Sequence, residues 1–337
     1  MKAIMYTAYG SPDVLELKEV AQPVPKENEV LIRMHATAVN SGDVKMRSFD
    51  FPRMYYLPMG MMNGFKRPRR SILGNVIAGE IESTGSGVTR FSKGDQVFGS
   101  TGMGMGAYAE YVCVPEQAAI GLKPSSITYE EAAAIPFGAY TALHFLRKAK
   151  LQEGSVSPSD RKKVLIVGAS GSVGTAAVQL AKHFGARVTG VCSTANIGLV
   201  KSLGADRVVD YTKEDFAGSG ETYDVIFDTV GKSSFPGSLR SLKPDGYYLL
   251  GAVWKMSWYV RAAWMSLLNM LPGRGAGQTV VAGVATENPE DLRFFTGLVE
   301  KGRLKPVIDR SYTMEQMAEA HRYVDGGHKK GNVIVTI

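Results

Sequence analysis

The first 120 or so residues alternate apolar and polar positions with a period of two, whereas much of the remainder alternates short apolar runs with stretches of helical spacing. The period-two and apolar runs predict strands at residues 2–7, 29–39, 76–83, 95–98 and 107–114. Beyond them, apolar runs at 164–167, 186–191, 207–209, 224–227, 247–250 and 279–284 alternate with predicted helices at 175–184, 197–203 and 234–242. This alternation is typical of a parallel, doubly wound α/β sheet.

The two parts are joined by helices, and the end of the chain changes character again. Thr128 and Glu131 form a predicted capping box that opens a helix over 130–135, and a second helical run covers 141–148. Later residues predict helices at 289–301 and 314–324 and a closing strand at 332–337. We expect that strand to return to the β-rich part. Residues 1–124 and 286–337 would then form one domain, and residues 125–285 a second domain inserted into it.

A glycine-punctuated turn follows the apolar strand at 164–167. Gly168, Gly171 and Gly174 lie in this turn, and a helix is predicted to begin near Ser172, which is the context of a dinucleotide-binding turn. Glycines let the backbone approach a pyrophosphate, and the N–H groups and dipole of a helix N-terminus attract its charge. An ordinary strand-turn-helix is the weaker interpretation, because a second strand completes the unit. The motif predicts a site formed by Ser170, Gly171, Ser172, Val173 and Gly174.

The end of the second strand indicates which dinucleotide is bound. An NAD-binding chain usually has an acidic residue there, roughly 20 residues after the glycines, on the ribose 2′-hydroxyl. Residues 192–196 contain no carboxylate to repel a 2′-phosphate. We therefore expect NADPH rather than NADH, bound through Ser193, Thr194, Asn196 and Tyr211. Because this segment has no Lys or Arg, a cation is expected from Lys330, close in sequence to Asn332.

Composition limits the class of protein. The 337 residues, 45% of them apolar, are enough for two domains. Only two cysteines, Cys113 and Cys192, are present, too few for a disulfide framework or a four-thiolate zinc site, which favours a reducing compartment. The N-terminus carries charges instead of an apolar leader, so a cytoplasmic location is expected. A net charge of +7 suits an anionic cofactor but is too modest to imply a nucleic-acid partner.

Two segments stand apart. Residues 65–70, Phe-Lys-Arg-Pro-Arg-Arg, form the one dense basic cluster; a solvated loop is the plainer interpretation, and contact with phosphate, acidic lipid or nucleic acid is the alternative. Residues 254–271 hold all three tryptophans and are too polar to span a bilayer. They are predicted to be a lid or a subunit contact rather than a helix on a membrane surface.

The chain resembles the medium-chain dehydrogenases/reductases, in their zinc-free quinone oxidoreductase branch. The resemblance covers essentially the whole length and is carried by the segments 36–43, 78–81, 106–111, 132–136, 141–143 and 168–174. It implies a GroES-like β-rich catalytic domain, made from both chain ends, around a doubly wound Rossmann domain, with the active site in the cleft between them. It also implies a homodimer, and an edge strand at 279–284 is the predicted contact.

The resemblance also bears on metal chemistry. Zinc alcohol dehydrogenases of this superfamily place a Cys where Asn40 stands and a His where Asn75 stands. Neutral amides are poor zinc ligands, so no zinc is expected. Without a Lewis acid, the expected substrate is an acceptor already primed for hydride, either a quinone or a conjugated enone or enal.

Further site residues follow from the resemblance. Asn40 and Thr141 are expected near the nicotinamide. Proton donors are harder to assign: Asp43, Tyr55 and Tyr56 are candidates of suitable type, and protonation by solvent is the alternative. The ribose and nicotinamide are expected to contact Thr229, Val230, Gly251 and Ala252, which follow strands at the carboxyl edge of the sheet.

Four hypotheses remain open from the sequence. The first is an NADPH-dependent quinone reductase, and the second a reductase of α,β-unsaturated carbonyls. A third, from another class, is a non-catalytic NADPH-binding scaffold with membrane or RNA contacts. A zinc alcohol dehydrogenase with substituted ligands is the fourth and predicts bound metal. The favoured hypothesis predicts two partners, a small-molecule hydride acceptor and a second copy of the chain, and peripheral membrane contact is the alternative.

Overall fold

The computed structural model describes residues 1–154, 161–251 and 277–337. Ala252 and residues 254–271, for which roles are predicted above, lie outside the described residues. The strands are β1 (Lys2–Met5), β2 (Glu16–Glu19), β3 (Glu29–Val39), β4 (Val76–Thr84), β5 (Gln96–Ser100), β6 (Tyr111–Pro115), β7 (Ile120–Leu122), β8 (Lys163–Val167), β9 (Arg187–Cys192), β10 (Arg207–Asp210), β11 (Tyr223–Asp228), β12 (Leu242–Leu250), β13 (Thr279–Ala282), β14 (Ile308–Thr313) and β15 (Asn332–Thr336). The helices are α1 (Ser41–Ser48), α2 (Arg53–Asn63), α3 (Tyr129–Ala133), α4 (Pro136–Lys148), α5 (Ser172–His183), α6 (Ile197–Ser202), α7 (Phe235–Arg240), α8 (Pro289–Glu300) and α9 (Met317–Asp325).

Side-chain caps determine where several helices begin. The predicted capping box at α3 is confirmed, since Thr128 Oγ1 accepts a hydrogen bond from Glu131 N and Glu131 Oε2 accepts one from Thr128 N. At α1 the same arrangement is made by Asn40 and Asp43. A helix α2 was not predicted from the sequence, because its residues are apolar on every side and include Pro58.

One compact unit comprises residues 1–137, 287–302 and 306–337. Its main sheet has the order β14-β15-β3-β4-β5-β7, with β6 pairing to β3. The closing strand β15 runs antiparallel to β3, pairing Val335 with Thr37. One core of this unit packs Ile32, Ile77, Val97 and their neighbours. The closing strand therefore returns to the sheet of the β-rich unit, as predicted.

The second unit comprises residues 138–286 and 303–305. Its sheet is parallel, in the order β10-β9-β8-β11-β12-β13. The chain winds outward from β8 in one direction and from β11 in the other, so the topological switch point lies between β8 and β11. The predicted doubly wound α/β fold is confirmed. In the described residues, β13 forms one edge of this sheet.

Candidate functional site

The glycine turn lies in the second unit, at the carboxyl end of β8. Gly168 has a φ of +78°, and a Cβ there would come within 2.2 Å of Val230 Cγ2. A Cβ on Gly174 would come within 2.1 Å of the Gly168 carbonyl oxygen. A side chain at Gly168 would collide with the turn that follows β11, and one at Gly174 would force the first turn of α5 away from the glycine turn. The glycines therefore allow a tight cradle of backbone.

The N-terminus of α5 is open to an anion. Gly171 is the N-cap residue and supplies no side chain to bind the first N–H groups of the helix. Those groups have no acceptor within the helix, and the helix dipole adds positive potential at the same point. A pyrophosphate fits this cradle, because it needs backbone donors and a wall without side chains. Ser170, Ser172 and Val173 belong to the same turn, as predicted.

A second turn at the switch point is fixed by a buried acid. Asp228 ends β11, is fully buried, and accepts hydrogen bonds from the N–H groups of Val230 and Gly231 at 2.9 and 2.7 Å. Thr229 Oγ1 donates to the Val167 carbonyl at 2.8 Å. The turn that was predicted to contact the ribose is thus tied to the end of β8. Gly251 N donates to the Asp228 carbonyl, which holds the end of β12 beside it.

At the end of β9, the predicted phosphate-binding side chains lie together. Asn196 Nδ2 donates to Ser170 Oγ and Ser193 Oγ, each at 3.2 Å, so it connects the glycine turn to the end of β9. Tyr211 is exposed. Thr194 differs from the prediction, because its hydroxyl donates to Asp210 Oδ2 at 2.5 Å and so directs its hydrogen at a carboxylate.

Asp210 is a residue that sequence reasoning missed. It ends β10 and pairs with Cys192 of β9, which brings a carboxylate to a segment that has none of its own. Hydrogen bonds from the hydroxyls of Thr194 and Thr212 hold the pKa of Asp210 below its usual value. Lys213 Nζ lies 3.8 Å from the carboxylate. The hydroxyl donors and Lys213 therefore offset the negative charge of Asp210.

The remaining predicted cofactor residues belong to both units. Thr141 is half-buried on α4, in the second unit. Lys330 and Asn332 belong to the first unit, together with Asn40. Lys330 is exposed, whereas Asn332 is buried and its Nδ2 donates to the carbonyls of Ala134 and Val307 at 2.8 and 3.1 Å. The Asn332 side chain thus joins α3 to the start of β15.

In the first unit, Asn40 and Asn75 form an amide pair. The Asn40 Oδ1 atom accepts hydrogen bonds from Gly42 N and Asp43 N at 2.8 and 3.1 Å, because it caps α1. The Asn40 Nδ2 atom donates to Asn75 Oδ1 at 2.9 Å. Asn75 is half-buried, and its own Nδ2 has no acceptor in the described part of the chain.

Asp43 lies beneath this pair and is 3% exposed. Its Oδ2 accepts from Asn40 N at 3.0 Å, and the backbone of Gly74 and the hydroxyl of Tyr108 lie against it, although that hydroxyl makes no regular hydrogen bond. Burial raises the pKa of Asp43 to about 7. The Asp43 carboxyl already accepts a hydrogen bond in the capping box and is enclosed by the residues around it. This geometry suits a role in holding Asn40 and Gly74 in place.

The other predicted proton donors are on α2. Tyr55 is half-buried, and Tyr56 is exposed with its ring against Phe49. Both tyrosines remain predictions for the proton-transfer step.

Two family models match the chain. Residues 26–124 match the family model of the alcohol dehydrogenase GroES-like domain, and residues 203–335 match that of the zinc-binding dehydrogenases. The chain is 34% identical to a tomato (Solanum lycopersicum) 2-methylene-furan-3-one reductase over 99% of this chain and 79% of the relative. The chain belongs to the medium-chain dehydrogenase/reductase superfamily.

Two further comparisons describe this medium-chain dehydrogenase/reductase. It is 31% identical to an NADPH-dependent alkenal/one oxidoreductase of Arabidopsis thaliana, over 99% of this chain and 79% of the relative. The quinone oxidoreductase from Coxiella burnetii has the same fold, with a TM-score of 0.85, 28% identity and coverage of 100% and 99% of the two chains. The predicted family, and with it an NAD(P)H-dependent oxidoreductase, is confirmed.

The residues of this medium-chain dehydrogenase/reductase do not suit a zinc ion at Asn40 and Asn75. Both carboxamide oxygens already accept hydrogen bonds, and the free group of the pair is an NH₂, which repels a cation. The described residues contain no group of three or more His, Cys, Asp or Glu side chains able to hold a metal. They also contain no helix long and apolar enough to cross a membrane.

Proposed function

We propose that this chain transfers a hydride from NADPH to a quinone without using a metal ion. The amide pair carries this proposal. Where zinc enzymes of the superfamily place metal ligands, Asn40 and Asn75 present a hydrogen-bond donor. A donor suits a substrate whose oxygen becomes negative as hydride arrives, since hydrogen bonds aimed at developing charge lower the barrier.

The second unit supplies the cofactor site. When bound, NADPH supplies the hydride. The first turn of α5 and the cradle around Gly174 bind the pyrophosphate, and the turn held by Asp228 orients the neighbouring ribose. Ser193, Asn196 and Tyr211 bind the 2′-phosphate. Asp210 lies nearby, but its hydrogen bonds and Lys213 offset its charge. The Arabidopsis relative, an NADPH-dependent alkenal/one oxidoreductase by name, supports the same choice.

In the proposed reaction a quinone accepts a hydride and becomes a hydroquinone anion, which then takes one proton. Asn75 Nδ2 donates a hydrogen bond to the oxygen on which negative charge develops. Asp43 is assigned as a positioning residue, because its carboxyl is enclosed and fixes Asn40. The proton comes from Tyr55, Tyr56 or solvent.

Reduction of the carbon–carbon bond of an enal or enone is the second candidate. It is favoured by the names of the tomato and Arabidopsis relatives. Hydride then arrives at the β-carbon, the enolate oxygen is the anion that Asn75 contacts, and a proton goes to the α-carbon. The same donor serves both reactions, so the amide pair does not separate them.

The test offers the purified protein an ortho-quinone and a 2-alkenal in parallel, each with NADPH and with NADH, and identifies the products. Faster turnover of the quinone with NADPH supports the first candidate, and a saturated aldehyde as the main product supports the second. A preference for NADH would contradict the cofactor assignment. Saturable NADPH binding without turnover of either acceptor would support the scaffold hypothesis instead.

A further inference from the structure

The helix α2 presents an apolar face to solvent. Its inner side contributes Met59 to the core of the first unit and buries Asn63. Five apolar residues of α2 and of the loop just beyond it are between 42% and 62% exposed on the solvent side: Tyr56, Leu57, Met61, Met62 and Phe65. A surface helix ordinarily places polar residues on that side. A contiguous apolar group of this kind is typical of an interaction site.

The basic cluster adjoins this apolar face. The loop after α2 folds back on the helix, because Arg69 N donates to the Asn63 carbonyl at 2.8 Å and Phe65 packs on Gly60. Exposed cations therefore flank the apolar group: Arg53, Lys66, Arg67, Arg69 and Arg70. None of them forms a salt bridge with a described acidic residue.

The charge of this region is one-sided. No Asp or Glu occurs between Asp50 and Glu80, so the five cations stand uncompensated in sequence, in a chain whose whole net charge is +7. A solvated loop accounts for the charges but not for the apolar face beside them. Arg70 donates a hydrogen bond to the Met103 carbonyl, and none of the five cations has an acidic partner among the described residues. Apolar side chains among such cations match an anionic lipid surface, where cations attract the headgroups and apolar groups enter the acyl boundary.

We propose that α2 and the loop to Arg70 dock this protein on anionic phospholipid membranes. This contact is peripheral, and its test does not depend on the proposed reduction. It predicts binding that needs both anionic headgroups and the apolar side chains. Binding to a nucleic acid would need the cations alone.

The test uses the full chain and sedimentation with vesicles of phosphatidylcholine, with or without about 30% phosphatidylglycerol. Wild type should bind only the anionic vesicles, and more weakly in high salt. The variant Lys66→Ala, Arg67→Ala, Arg69→Ala, Arg70→Ala should lose at least about tenfold in affinity, since each cation near the surface contributes roughly fivefold. A control with the same loss of four charges, Lys201→Ala, Lys232→Ala, Arg240→Ala, Lys301→Ala, should bind like wild type.

A second variant separates lipid from nucleic acid. Leu57→Gln with Met61→Gln keeps good helix formers and all the charges but should reduce vesicle binding at least about fivefold. Circular dichroism and NADPH binding check that each variant is folded. The proposal is overturned if wild type binds neutral vesicles equally well, or if the four-charge variant or the Leu57, Met61 variant binds like wild type. Tight RNA binding that the Leu57, Met61 variant retains, with no vesicle binding, would also overturn it.

Discussion

Asn40 Nδ2 donates a hydrogen bond to Asn75 Oδ1 across 2.9 Å, and this contact sets the direction of both amides. The backbone N–H groups of Gly42 and Asp43 require an oxygen from Asn40, so its NH₂ must face Asn75. Asn75 must then offer its oxygen to Asn40, which leaves its NH₂ as the outward group. The start of α1 thereby determines the polarity of a group on a different segment of the chain.

Asn75→Asp is the sharpest test of this donor. The carboxylate can still accept from Asn40, so the fold should be unchanged, but it offers no N–H to a developing oxyanion. We expect turnover to fall about 100-fold, the cost of losing one such donor, with an unchanged melting temperature and little change in NADPH affinity. Wild-type turnover in this variant would remove Asn75 from the mechanism.

Ser193→Asp should reverse the cofactor preference. An aspartate at the end of β9 repels a 2′-phosphate and binds a ribose 2′-hydroxyl. We expect NADPH to bind at least about tenfold more weakly and NADH to bind as well as before or better, as measured by fluorescence titration. Ser202→Asp, on an exposed turn at the end of α6, is the matched control. Equal losses for both cofactors would instead indicate a local structural fault.

Two glycine variants test whether close backbone packing at the glycine turn requires glycine. Gly174→Ala places a Cβ 2.1 Å from the Gly168 carbonyl oxygen. This variant should lose about 1–3 kcal/mol of stability and should also lose NADPH binding. Gly171→Ala keeps an ordinary φ of −80° and has its nearest atom at 3.5 Å, so the stability of the cofactor-free protein should be almost unchanged. Thermal unfolding measures both. Equal destabilisation would contradict the cradle geometry.

Asp43 should make the folded state less stable as pH rises. Its pKa is raised from 3.8 to about 7 by burial, so between these values the folded protein holds a proton that the unfolded chain releases. Stability from this group is present at low pH and is lost as pH approaches about 7, by up to about 4 kcal/mol. His321 acts in the opposite direction, because burial lowers its pKa to about 3.

The variant Asp43→Asn removes the loss of stability that Asp43 causes as pH rises and leaves the opposite contribution of His321. Denaturant unfolding from about pH 4.5 to pH 7 should therefore show stability that rises more steeply with pH than in wild type. Parallel curves for the two proteins would mean that Asp43 is not titrating in this range.

Local signals in the sequence predicted the local structure of two turns. The glycine turn and the Thr128 capping box depend on neighbours in sequence, and both have the expected geometry. Asp210 acts on Thr194 only because β9 and β10 pair in the sheet, and Asn75 meets Asn40 from 35 positions away. Such contacts are set by strand pairing and leave no local pattern. The helix α2 was missed because its apolar residues follow no single face.

Hydride transfer without a metal ion can be tested by controlling the zinc content of the purified protein. Protein treated with a strong chelator, and shown by elemental analysis to contain no zinc, is assayed for NADPH oxidation with an ortho-quinone before and after zinc is added back. We predict the same turnover in the untreated, treated and zinc-supplemented protein. Stoichiometric zinc in the untreated protein, with activity lost on its removal and restored on its return, would show that hydride transfer depends on the metal.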